Sequence, residues 1–451
     1  MFGFKACTVL KTIMKGLVFL FTINILVMSI QTTGSAQQSP AELLNKIDRL
    51  SKEIEAQVIE WRRDFHQHPE LSNQEYRTAG IVADHLRGLG MIVQTGIAKT
   101  GVTGILKGPE DGPVIALRAD LDALPITEET GLPFASTVTA TVNGETVGVM
   151  HACGHDVHTS SLMGVATVLS SVRDQLPGTV LFIFQPAEEG AFEYDIWGAR
   201  QMVAEGVLED PRPDAIFGMH VWPTTTGTIG YTTGAIMASV DNFSIKVFGK
   251  GGHAAAPWQT TDPVIVAAQI VTGLQTMVSR NAELTKGAAV VSVGSICGGT
   301  RHNIIPDEVE LLGTIRTHNE ETRQLIHERL DELVTNTADA YGASAEVTID
   351  RLYPAVINNA NLVNDMLPVI MHSTGRENVK EMDPLMIAED FAYYANEIPG
   401  MFYTLGIIPP DHTGPVEPIH SPRFDVDESA IKISVRTMSY LAVEALFRFS
   451  K

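Results

Sequence analysis

Val180-Leu181-Phe182-Ile183-Phe184-Gln185-Pro186-Ala187-Glu188-Glu189-Gly190 is a run of five apolar residues that meets a proline and then two acids. An unbroken apolar run of this length reads as a strand buried on both faces, as in a parallel sheet, and Pro186 ends it. Two other runs repeat the pattern. Val114-Ile115-Ala116-Leu117 leads to Asp120 and Asp122, and Ala215-Ile216-Phe217-Gly218-Met219 leads to His220. Helical stretches over about 156–172 and 197–206 fall between them. The alternation predicts an α/β domain with a largely parallel sheet. Such sheets gather their chemistry at the carboxyl ends of strands, so three ends carrying acids or a histidine predict one site.

Working outward, Leu43, Leu44, Ile47, Leu50, Ile54, Val58 and Trp61 recur at helical spacing before Pro69, which predicts an amphipathic helix over 41–66. Beyond residue 240 the order changes to strand (242–248), helix (262–280), strand (288–296), strand (308–316), helix (320–341) and strand (344–351). This β-α-β-β-α-β order is that of a ferredoxin-like sandwich, complete in itself. A helix near 362–372, a strand at 401–406 and a terminal helix from about 428 then resume the first domain. The expected organisation is a larger domain in two parts, 37–235 and 350–451, with 236–349 inserted as a smaller one.

The first 36 residues are set apart from the fold. Lys5, Lys11 and Lys15 precede an apolar run from Gly16 to Ile30, and small residues follow at Gly34-Ser35-Ala36. Basic, apolar, small is the order of an export signal, which predicts cleavage after Ala36 and a periplasmic or secreted protein; an uncleaved membrane anchor is the competing reading. The 451-residue chain carries a formal net charge of -21. An acidic surface repels phosphate backbones and anionic lipid, which argues against nucleic-acid or peripheral membrane binding. Outside the leader the cysteines are Cys153 and Cys297; the first lies among histidines and reads as a ligand, the second ends an apolar run and reads as a small core residue.

Met150-His151-Ala152-Cys153-Gly154-His155-Asp156-Val157-His158 packs three histidines and a thiol into nine positions. Metal sites need such soft and borderline donors together, and a glycine between two ligands lets both turn toward one ion. Two other readings compete: a helix N-terminus capped by His155 and Asp156, and a nucleophilic Cys153 beside a histidine, which leaves Glu188, Glu189 and His220 without a task. Glu188 and Glu189 are adjacent in extended chain and point apart, so one can bind metal while the other faces a water and moves its proton. His66, His68 and Glu70 also look ligand-like, but a helix ending against Pro69 accounts for them.

Taken together, Arg118-Ala119-Asp120-Leu121-Asp122-Ala123-Leu124-Pro125, His151–Asp156, Gln185–Glu189, Gly218-Met219-His220, Gly252-His253-Ala254-Ala255, Asn303-Ile304-Ile305-Pro306, Glu389-Asp390-Phe391 and His420-Ser421-Pro422 resemble the successive motifs of the aminoacylase, hippurate hydrolase and auxin-conjugate hydrolase family of metallo-amidohydrolases. They run in order over nearly all the chain beyond the leader. The resemblance implies metal ligands at Cys153, His155, Glu189, His220 and His420, with Cys153 bridging two divalent ions, zinc or manganese first, cobalt or nickel next. It implies Glu188 as general acid/base and Asp122 as the group that orients a ligand histidine. Asp120 stands where related peptidases place a ligand histidine. The resemblance also implies that 37–235 and 350–451 form the metal-binding catalytic domain and 236–349 a lid and dimerisation domain; His253 matches a histidine that reaches across a homodimer to the neighbour's substrate, and Asn303 and Arg316 match groups that bind a substrate carboxylate. The implied reaction is hydrolysis of small N-acyl amino acids, with a dipeptidase or carboxypeptidase, or an inactive binding protein, as the alternatives. One departure stands out: Ala191-Phe192-Glu193-Tyr194-Asp195-Ile196-Trp197 is bulkier and more aromatic than the family's Gly-rich stretch, and it is expected to line the substrate pocket.

Overall fold

The three apolar runs become neighbouring strands. In the computed structural model, which describes residues 40–191, 194 and 196–450, Thr179–Gln185, Val114–Asp120, Ala215–Thr225 and Gly400–Ile408 lie side by side and parallel. They form the middle of an eight-stranded sheet. Its spatial order is Ile92–Ile97, Gly101–Lys107, Thr179–Gln185, Val114–Asp120, Ala215–Thr225, Gly400–Ile408, Ile229–Tyr231 and Val379–Glu381. The first two strands are antiparallel additions at one edge.

Both faces of the sheet are covered, which is why its central strands are apolar without alternation. Val180, Phe182 and Phe184 point into one core, with Val58 and Phe65 of helix Pro40–Gln67, Leu162 and Val165 of helix His155–Ser170, and Val435 and Leu441 of helix Ser429–Phe449. Leu181 and Ile183 point the other way, toward Met202, Phe391 and Phe402. The expected helix over 41–66 runs Pro40–Gln67, and the terminal one runs Ser429–Phe449.

The β-α-β-β-α-β segment forms a separate four-stranded antiparallel sheet in the order Ala289–Cys297, Glu308–Thr317, Asp241–Phe248, Ser344–Arg351. Phe243, Ile245 and Val247 face one side, where Ile270 and Leu274 of helix Pro263–Thr276 and Ile326, Leu330 and Val334 of helix Glu320–Ala340 pack on them. Both helices start on caps that the sequence supplies: Asp262 accepts from Val264 N–H before Pro263, and Asn319 accepts from Thr322 N–H. Chain leaves the large sheet at Ala238–Val240 and returns at Leu352–Pro354, and these crossings are bonded to each other through Leu352 N–H to Val240 O and Val240 N–H to Tyr353 O. No helix among the described residues is long and apolar enough to cross a membrane, and the expected leader, 1–36, lies outside them.

Candidate metal centre

The central strands place their polar ends on one rim. Thr179–Gln185 delivers Glu188 and Glu189, Val114–Asp120 delivers Asp122, and Ala215–Thr225 carries His220 within its length. Cys153 and His155 come from the turn into helix His155–Ser170, where Gly154 adopts φ 89. A side chain there would put its Cβ 2.3 Å from Val221 Cγ2, so only glycine lets this turn close on the strand that bears His220. His420, at φ 66, donates its backbone N–H to Ala152 O at 2.7 Å, fixing the last loop against the same turn.

Asp122 organises the rim. Its carboxylate accepts from Glu188 N–H at 3.1 Å, Glu189 N–H at 3.0 Å and Ser72 Oγ at 2.7 Å, and its backbone carbonyl accepts from His155 Nδ1 at 2.8 Å. That bond directs His155 Nε2 inward, where it is buried without a hydrogen-bond partner. His220 Nδ1 donates to Val221 O at 2.6 Å, leaving Nε2 3.3 Å from Cys153 Sγ. His158 differs: Nε2 accepts from Val221 N–H and Nδ1 donates to Asp120 Oδ1 at 2.7 Å, so both nitrogens are occupied. Asp120 is equally committed, because its other oxygen pairs with Arg118 Nη1 at 2.6 Å. Both nitrogens of His158 are thus spent, and each oxygen of Asp120 already has a partner.

Two donor triads share one atom. Cys153, His155 and His220 form one, Cys153, Glu189 and His420 the other, and within each the candidate atoms lie within 4.8 Å of one another. Glu189 Oε1 is 3.2 Å from His420 Nε2, an approach without hydrogen-bond alignment. His155 Nε2 and Glu189 Oε1 are buried without hydrogen-bond partners beside the shared sulfur, and a donor set of thiol, imidazole and carboxylate fits divalent transition-metal ions.

The charges support the same conclusion. Burial and then the carboxylates of Glu189 and Glu188 push the Cys153 thiol well up; burial and then Glu389, Glu189 and Asp390 push Glu188 up. Burial alone would lower His155, but Asp120 and then Asp122 outweigh it and hold it at about 10. These are the marks of buried negative charge in excess, which a bound cation relieves.

The triads open on a cleft of about 540 Å³. Cys153, Glu188, Glu189, His220 and His420 lie at one part of its lining, Arg316 at another, and Met237, Val240, Leu352, Met386, Ile387 and Ile419 supply apolar wall. Arg316 makes no ion pair among the described residues, and burial lowers its pKa. His253 and Asn303 are not in this lining: His253 is exposed on the two-residue strand Gly252–His253, paired with Ile304–Ile305.

Two expectations change. Phe192, Glu193 and Asp195 lie outside the described residues, and none of the rest of the aromatic segment lines the cleft. Exposed Tyr194 stacks on Lys99, while Trp197 stands behind the wall, its Nε1 donating to Tyr353 Oη at 2.9 Å. Cys297 is exposed and not a core residue, because its strand covers the helices on one face only and it ends on the other. His66, left out of the site on the sequence, belongs to a buried ion cluster, its Nδ1 2.9 Å from Asp156 Oδ2 and its Nε2 3.1 Å from Glu128 Oε1.

Other residues gain tasks that sequence reasoning had not assigned. Glu75 accepts from Ala187 N–H at 2.9 Å, bracing the turn before Glu188; no spacing marks it. Arg118 binds Asp120, Glu389 and Asp390 in one buried cluster, and a charge inside an otherwise apolar strand was the available signal.

Comparison with known proteins places this rim in context. The profile of Peptidase family M20/M25/M40 matches residues 116–444. The chain is 43% identical over 397 residues to the N-acetylcysteine deacetylase of Bacillus subtilis, covering 88% of this chain and 98% of that protein. It is 43% identical over 314 residues to the N-acyl-L-amino acid amidohydrolase of Geobacillus stearothermophilus, covering 69% and 81%. A crystal structure of a dinuclear metal-binding peptidase of the M20 family from Bacillus subtilis superposes with a TM-score of 0.73 at 40% identity, covering 88% of this chain and 99% of that one. The assignment to an exported compartment is corrected by the same comparison. A relative aligned over 98% of its own length has no room for a counterpart of a 36-residue leader, and the localisation read from residues 1–36 is withdrawn. The donor-lined rim, the two sheets and these matches together establish that the chain belongs to Peptidase family M20/M25/M40 and is a metal-binding amide hydrolase.

Proposed function

We propose that the chain hydrolyses N-acyl-L-amino acids at a dinuclear centre held by Cys153, His155 and His220 on one side and Cys153, Glu189 and His420 on the other. The observation that carries this reading is one cleft with the donors at one part of its lining and the unpaired Arg316 at another. A small amide with an apolar acyl group and a free carboxylate matches that arrangement: the carboxylate pairs with Arg316 and the acyl group lies on the apolar wall, while Asn303, outside this cleft in one chain, assists only from a neighbouring subunit. Bound divalent ions, zinc or manganese, supply Lewis acidity toward a water and the scissile carbonyl. Glu188 takes the proton from the attacking water and returns it to the leaving nitrogen; its buried, acid-rich surroundings raise its pKa toward that task. Asp122 holds His155 and the Glu188–Glu189 turn in register. Residues 236–349 act as a lid and dimer surface, through which His253 reaches the neighbouring subunit's cleft.

The test is a panel of acetyl, benzoyl, fatty-acyl and indole-acetyl amino acids beside free dipeptides, with each metal added back to chelated enzyme. Acyl amino acids should turn over and their carboxamides should not, and Arg316→Ala should raise KM about 10-fold or more, as expected for a lost charge-assisted pair. Faster turnover of dipeptides would replace this reading with a dipeptidase.

A further inference from the structure

The turn that carries Glu188 is conformationally costly. Ala187 adopts φ 53 and Gly190 φ 102, and a non-glycine residue at positive φ persists only where its surroundings hold it there. Three braces are visible. Glu75 accepts from Ala187 N–H and Asp122 accepts from Glu188 and Glu189 N–H, so two carboxylates fix the donors of the turn. Its acceptor is fixed by a phenol that lines the same cleft: Tyr353 Oη donates to Glu188 O at 2.7 Å.

The direction of that last bond is set by a second group. Trp197 Nε1 can only donate, and it donates to Tyr353 Oη, so the hydroxyl's own proton is left for the Glu188 carbonyl. Burial and then Asp390 and Glu188 raise the phenol's pKa well above its usual value, which keeps it a donor. Trp197 also packs with Ala187 and Ala191, and Leu352 and Tyr353 close the same small apolar cluster. Tyr353 is moreover the residue whose carbonyl bonds Val240 at the crossing between the two sheets.

We infer that Tyr353 is a positioning residue for Glu188 and that Trp197, from the segment in which this chain departs from the family pattern, acts through it. The pair ties the proton-carrying turn to the strand crossing that leads into the four-stranded sheet. The inference rests on Glu188 as the proton carrier.

The test uses full-length, metal-loaded protein with N-acetyl-L-methionine as probe. Tyr353→Phe keeps the ring and removes the donor; kcat should fall roughly 10-fold, the scale of one buried hydrogen bond, with KM within about twofold and metal content unchanged. Trp197→Phe, which keeps an aromatic ring against Ala187 and Ala191 and removes the N–H, should cost less, and the double variant should be no slower than Tyr353→Phe alone, because that N–H acts through the hydroxyl. Wild-type kcat in Tyr353→Phe, losses that multiply in the double variant, a raised KM at unchanged kcat, or metal lost in step with rate would each overturn the inference. Glu188→Gln separates the two claims. If it is inactive with full metal while Tyr353→Phe is unimpaired, only the positioning role falls; if it turns over like wild type, the proton-carrier reading falls and takes this inference with it.

Discussion

Asp122 holds the backbone of two neighbouring glutamates whose side chains part. Because its carboxylate takes both backbone N–H groups, the Glu188 and Glu189 side chains leave a fixed turn in different directions, Glu189 toward His420 and Glu188 toward Arg118, Glu389 and His155. Substituting them should therefore separate chemistry from metal binding. Glu188→Gln keeps shape but cannot accept a proton, and kcat should drop by roughly 10²–10⁴ with metal content near wild type. Glu189→Gln should lose metal and rate together. Metal analysis beside kinetics decides it, and the reverse outcome would exchange the two roles. Cys153→Ala should likewise bind less metal, since both triads lose their common sulfur. A variant with full metal and no rate would instead revive the nucleophilic thiol. At this scale the sequence showed which residue types were concentrated where, but not that His158 was spent: its two partners, Asp120 and the Val221 N–H, come from separate strands.

Among the elements, helix Pro40–Gln67 does more than cover the sheet. Arg62 and His66, one turn apart, both reach Asp156, the residue after His155, and His66 also reaches Glu128. Burial alone would lower the His66 pKa, but the bonds to Asp156 and then Glu128 hold it at about 9 against the ordinary 6.5. A raised histidine pKa means that folding favours the charged form. Its contribution is complete below about pH 6.5 and is lost as pH rises through about 9. The thermal stability lost in His66→Gln should thus be several degrees at pH 6 and should shrink toward pH 10; a constant difference across that range would remove the cluster's charge from the account. The sequence showed this helix because its apolar face repeats every three to four residues, and the central strands because they are unbroken apolar runs. It hid Ile92–Ile97, an edge strand whose residues are mostly exposed and interrupted by Gln94, Thr95 and Gly96. Helix Tyr76–Gly88 was missed as well: it begins with no side-chain cap at Glu75, whose carboxylate is engaged with Ala187 and Thr100 instead.

For the molecule as a whole, the α/β sheet and the inserted sandwich were both legible from the order of apolar runs, whereas the place of His253 and Asn303 was not, because one chain does not bring them to the cleft. If His253 serves the neighbouring subunit, two inactive variants should rescue each other: His253→Ala and Glu188→Gln chains co-assembled should regain part of the activity, and verified mixed dimers without recovery would argue against service in trans. A separate consequence lies in the pairing of Gly400–Ile408 with Ala215–Thr225, Thr404 beside His220, across the whole intervening four-stranded unit. During synthesis the apolar edge of Ala215–Thr225 waits for its partner while the sandwich is made, on the order of ten seconds or more at ribosomal speeds. His420 follows later still. A nascent or truncated chain stopped within that interval carries an open, aggregation-prone strand edge and an incomplete set of donors, so metal can complete the centre only after nearly the entire polypeptide has left the ribosome.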